Sequence, residues 1–131
     1  MGKKVGLVAL LVAAAYLAGF LPEHFKRSAA ETKLEAAERL NREAEVRDLV
    51  SLTYVQAVQK NYGLAAQTSG QFFGRLQPLA AGRAGSPDAK AFDEILGSRD
   101  RVTAGLAKGD PAVLDDLQTL YLKTRATTTG R

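Results

Sequence analysis

The sequence has no cysteine, a single histidine and only four prolines. Without thiols there is no disulfide, no thiolate nucleophile and no cysteine ligand for a metal, and the chain is indifferent to the redox poise on either side of a membrane. With His24 as the sole histidine there is no zinc constellation, and Ser51, Ser69 and Ser86 have no base within reach. No carboxylate spacing resembles a calcium loop. Asp115 and Asp116 are adjacent, so on a helix they point to different sides and do not form a pair. The glycine-rich stretch 80–87, AAGRAGSP, lacks the Gly-Lys-Ser/Thr ending of a phosphate-binding loop. The sequence therefore leads us to expect no cofactor, no metal and no catalytic site.

Charge of one sign is also scarce. Eighteen Lys and Arg stand against fourteen Asp and Glu, a net charge of +4, and the two signs are interleaved rather than clustered. Such a surface carries no footprint of a nucleic-acid partner. Strand-like alternation and internal repeats are missing too. What remains, with alanine throughout and 46% hydrophobic against 24% charged residues, is the composition of a folded, helical chain.

One hydrophobic run stands out. Residues 5–21, VGLVALLVAAAYLAGFL, contain no charged or strongly polar side chain. As a helix they reach about 25 Å, the short end of what crosses a bilayer. Lys3 and Lys4 flank one end and Lys26 and Arg27 the other, where long cationic side chains snorkel to the headgroups. Tyr16, Phe20, His24 and Phe25 fall at the interface at the C-terminal end of the run, where aromatic rings favour the headgroup layer. Pro22 is expected to close the helix. Gly6, Ala9 and Ala13 follow one helical stripe, and Ala15 and Gly19 stand four apart; small residues at this spacing let a neighbouring transmembrane helix approach closely. A cleaved signal peptide shares the lysine pair, the apolar run and small-residue cleavage sites at 13–15 or 17–19. In that case the chain is a secreted helical binding protein.

Beyond the run, Ser28 and Glu31 have capping-box spacing, which predicts a helix start. Glu35 and Arg39, Glu38 and Arg42, and Glu43 and Arg47 then stand at i,i+4, each pair contributing about 0.2–0.5 kcal/mol to a solvated stalk. From Val46 an apolar stripe continues through Val50, Thr53, Ala57, Leu64, Thr68, Phe72 and Leu76. Its phase predicts one helix from Ser28 to about Gln77, with a break at Asn61-Tyr62-Gly63 as the alternative, and Pro78 ends or kinks it. Ser86-Pro87-Asp88 starts a second helix that reaches about Lys108 with Phe92, Ile95, Val102 and Leu106 inward. Gly109-Asp110-Pro111 separates it from a third, carried by Val113, Leu114, Leu117, Leu120 and Tyr121.

The expected fold is all-α: a single N-terminal transmembrane helix, a long amphipathic helix and a C-terminal helical hairpin forming a small three-helix bundle. Its divisions are a basic tail (1–4), the transmembrane helix (5–21), an interfacial turn and charged stalk (22–45), the bundle (46–125) and a flexible tail (126–131). The expected role is that of a membrane-anchored accessory or scaffold subunit of a larger integral-membrane complex. Its partners would be membrane lipid and other membrane proteins, with the soluble part exported. Leu34, Leu40, Tyr54, Tyr62 and Phe73 are the candidate partner-binding residues. Self-association is the alternative, through a seam of Leu34, Ala37, Leu40 and Ala44 that Asn41 and Asp48 interrupt as a strict heptad.

Overall fold

The computed structural model describes residues 2–129, apart from the side chains of Phe20 and Leu21. All regular structure among them is helical: α1 (Gly2–Val58), α2 (Tyr62–Gly82), α3 (Ala89–Gly97), α4 (Arg99–Lys108) and α5 (Val113–Thr128). Packing divides the chain into two units, one ending at Arg39 and the other running from Leu40.

The first unit is the N-terminal part of α1. Pro22 lies inside the helix rather than at its end. Its missing N–H forfeits the bond to the Ala18 carbonyl, but strong helix formers on both sides carry the backbone across the gap. The expected start at Ser28 is likewise absent. Ser28 sits mid-helix and its carbonyl accepts the Thr32 hydroxyl at 2.9 Å, so the helix has no free N-terminus here for a capping box to satisfy.

The second unit takes the rest of α1 and the four shorter helices. Glu43, Val46, Val50, Thr53 and Ala57 are buried along one side of α1. The core is completed by Phe72, Phe73 and Leu76 from α2, Phe92 and Ile95 from α3, Val102 and Leu106 from α4, and Val113, Leu117 and Leu120 from α5. Within this unit α2 packs against α3 and α4, and α5 packs against the same two.

The long helix breaks after Val58, close to the alternative position, but not at Gly63. Lys60 takes the left-handed conformation (φ 60°). Its N–H donates to Ala57 and the N–H of Asn61 to Gln56, both at 2.9 Å, the paired bonds that close a helix in a Schellman motif. Asn61 then caps α2, its Oδ1 accepting the Leu64 N–H at 3.4 Å. A lysine in this conformation is strained where glycine is not. Lys60→Gly is therefore expected to raise stability by about 0.5–1 kcal/mol, read as a higher urea midpoint.

Further differences follow from local competition. Pro78 lies inside α2, which runs on to Gly82. Asp88, not Ser86, precedes α3 as its cap residue, without a side-chain capping bond. The helix expected over 87–108 is two helices, because the Ser98 hydroxyl returns to the Ile95 carbonyl at 2.7 Å and ends α3. The C-terminal part is thus three helices, not a hairpin. Gly109 ends α4 in the left-handed conformation, as its position implied. Gly105, by contrast, is a point of close approach: a Cβ there would stand 2.8 Å from Val113 Cγ2 and 2.9 Å from its Cβ. Gly105→Ala is expected to cost about 1–3 kcal/mol by overpacking, despite alanine's better helix propensity. A melting temperature at or above that of the parent would contradict this. At the C-terminus, α5 continues to Thr128, with Thr124 and Thr128 buried, so the expected flexible tail is helical over 126–128.

Two long-range polar contacts replace the expected Glu43–Arg47 pair. Glu43, buried, accepts from Arg83 Nη2 at 2.7 Å, and Arg83 also reaches Asp88 at 3.4 Å. Arg47 instead donates to the Thr128 carbonyl at 2.7 Å. Arg83→Ala would leave a buried carboxylate alone, a loss of about 3–5 kcal/mol. Glu43→Ala is expected to cost less, because the Arg83 side chain is 25% exposed and can turn to water. Urea melts of the two variants should show that order.

Candidate interaction surfaces

Among the described residues one helix, near the N-terminus, is long and apolar enough to cross a membrane, with a mean hydropathy of 2.2 over its best window and none of that window buried. A signal sequence has the same properties. Because the helix runs through Pro22, the uncharged stretch between Lys4 and Glu23 spans about 27 Å without interruption, close to the hydrocarbon thickness of a bilayer. Lys3, Lys4, Tyr16, His24, Phe25, Lys26 and Arg27 are all exposed at the two ends of this stretch. Phe20, expected among them, has its side chain outside the described residues.

The small residues do not share one face. Gly6, Ala9 and Ala13 follow a single stripe, and Ala9 and Ala13 belong to an open apolar face of the helix with Val5, Val8, Val12 and Tyr16. Ala15 and Gly19 lie on the other side of the helix, since two residues beyond Ala13 is a turn of about 200°. A Cβ at Gly6 or Gly19 would meet nothing.

The candidate partner-binding residues separate by burial. Leu34 and Leu40 are 60% and 54% exposed. Phe73 is buried, its ring edge-on to Phe72 with centroids 4.9 Å apart, and is withdrawn as a contact residue. Tyr62 is half-buried and packs over Gly109, which has no side chain to obstruct the ring. Tyr54 is also half-buried, but it opens onto a groove of about 320 Å³ with Ser51 from α1 and Gln118, Tyr121 and Leu122 from α5.

Sequence reasoning missed most of this groove. Leu122 is 56% exposed; outside the groove's lining, Leu52, Val55 and Val58 on α1 are each close to half exposed. Their signal was present: 52, 55 and 58 are spaced by three, on the side of α1 away from Val46, Val50 and Ala57. Leu64, expected inside, is 43% exposed, because the break at Lys60 resets the helical phase. Of the two adjacent aspartates, Asp116 pairs with Arg101 at 2.8 Å. Among the described residues no group of three or more His, Asp or Glu side chains is placed to hold a metal ion. Comparison with protein-family models, curated proteins and solved structures gives no match.

Proposed function

We propose that the protein is a non-enzymatic, single-pass membrane subunit whose helical second unit, a small bundle, binds and braces a larger integral-membrane assembly. The observation that carries this reading is the apolar start of α1, whose described side chains from residue 5 to residue 19 are all exposed. An apolar surface of this extent is costly in water at about 25 cal/mol per Å² and calls for lipid or other helices around it. The groove of Tyr54, Tyr121 and Leu122 supplies the second element, an apolar lining that also carries the polar side chains of Ser51 and Gln118.

In the favoured topology Lys3 and Lys4 stay in the cytoplasm and the second unit is exported, the usual signal-anchor arrangement; Lys26, Arg27 and Lys33 count in the opposite sense. The test is purification from native membranes in mild detergent. The reading expects a stable larger species that loses the added component on Leu122→Asp, a change at an exposed position that leaves the fold and the tether in place. Migration of the parent protein as a lone species would contradict it.

A further inference from the structure

We infer that the groove between α1 and α5 takes a segment of a protein partner that offers an apolar side chain with a carboxylate beside it, and that Arg125 binds the carboxylate. The inference rests on the proposed bracing role and gives the chemistry of the component that role calls for.

Within the second unit α1 and α5 run antiparallel. Arg47 meets Thr128, while Ser51 and Tyr54 meet Gln118, Tyr121 and Leu122 across the groove. Arg47 stands one turn before Ser51 on α1, and Arg125 one turn beyond Tyr121 on α5, so both arginines mark the same end of the groove. Each is held by a neutral oxygen. Arg47 Nη1 donates to the Thr128 carbonyl at 2.7 Å, and Arg125 Nη1 to the Tyr121 hydroxyl at 3.2 Å. Arg75, Arg83 and Arg101, by contrast, each face a carboxylate, that of Glu45, Glu43 and Asp116 in turn. Neither Arg47 nor Arg125 forms an ion pair among the described residues. Asp48, the acid next to Arg47 in sequence, is turned about 100° around the helix from it.

Two positive charges at one end of an exposed apolar groove select an acidic occupant. The bond to the Tyr121 hydroxyl sets the Arg125 guanidinium beside that ring and leaves Nε and Nη2 for a forked contact with a carboxylate. Asp115, one turn before Gln118 at the opposite end, is exposed and repels an acid there, which fixes the direction of the segment. Ser51 and Gln118 in the lining offer hydrogen bonds that a peptide segment can return and a hydrocarbon chain cannot. The occupant is therefore protein rather than lipid.

The test uses the full chain purified from native membranes in mild detergent, with Arg125→Gln, Arg125→Glu and Arg125→Lys. Arg125 is exposed and its printed side-chain bond is confined to Tyr121, so all three variants should melt with the parent. Retention of the added component is expected to fall about tenfold or more with Arg125→Gln, and further with Arg125→Glu. Arg125→Lys should keep it. In that chain a carbodiimide, which joins an amine to a carboxylate, should couple residue 125 to an Asp or Glu of the component, identified by peptide mass analysis. The parent has no amine at this position and gives no such product. No coupling at residue 125, or coupling to a lipid or to a carboxylate of this chain in the same or a second copy, would overturn the inference. If Leu122→Asp releases the component while the Arg125 variants all retain it, the inference fails and the bracing role stands. If the parent migrates alone, both fail.

Discussion

Leu11→Arg combined with Val12→Arg is expected to move the protein from washed membranes to the soluble fraction. The reason is a comparison of two sums. Val5, Leu7, Val8, Leu10, Leu11, Val12, Leu17, Phe20 and Leu21 are the strongly apolar residues of the run, each favouring insertion by about 0.3–0.6 kcal/mol, or roughly 3–5 kcal/mol together. Two arginines near the helix centre oppose insertion by about 5–7 kcal/mol. The substitutions also remove two favourable contributions, so the balance changes sign. No side chain in the window containing them is buried within the chain, so the second unit should retain its melting temperature. A doubly substituted chain that stays in the pellet after an alkaline wash would show that something other than this helix holds it there.

Phe72→Ala is the second large effect. Phe72 is fully buried and stands edge-on to Phe73, with an interplanar angle of 71°. Truncating a buried phenylalanine to alanine costs about 3–5 kcal/mol in lost transfer energy and the cavity left behind, and the aromatic pair adds about 0.5–1.5 kcal/mol. Against a total stability of about 5–15 kcal/mol for a small domain, this is about a quarter or more of what holds the second unit together. At about 4–8 °C per kcal/mol the melting temperature should fall by well over 10 °C. Membrane association should not change, because Phe72 belongs to the second unit. Thermal melts of the detergent-solubilised chain, followed at 222 nm, separate the two effects.

What could be read in advance was what depends on periodicity. The stripe Val46, Val50, Thr53, Ala57 and the inward positions Phe92, Ile95, Val102, Leu106, Leu117 and Leu120 are all buried, because burial of an amphipathic helix follows 3.6-residue spacing whatever else the fold does. The stop at Gly109 was legible for a related reason, since only a residue free to adopt positive φ ends a helix that way at little cost. Boundaries set by competing hydrogen bonds were not. Lys60 closes α1 in a conformation that composition does not favour, and Ser98 splits what reads as one helix by a bond from its own side chain. Pro22 and Pro78 misled in the opposite direction: each forfeits one backbone bond, but neither ends its helix. Long-range partners were equally hidden. Glu43 has Arg47 four residues away, yet it bonds Arg83, forty positions on, because only the folded second unit brings that guanidinium to a buried carboxylate. As for the surfaces, the exposed apolar run was plain from composition, while the Tyr54 groove needed α1 and α5 side by side.

The central claim is that the apolar start of α1 stays attached and resides in lipid. Intact-mass measurement of the chain extracted from alkaline-washed native membranes tests it most directly. The account predicts a species whose mass includes residues 5–21 and that requires detergent to leave the pellet. A shorter chain beginning between about residue 14 and residue 22, recovered without detergent, would contradict it.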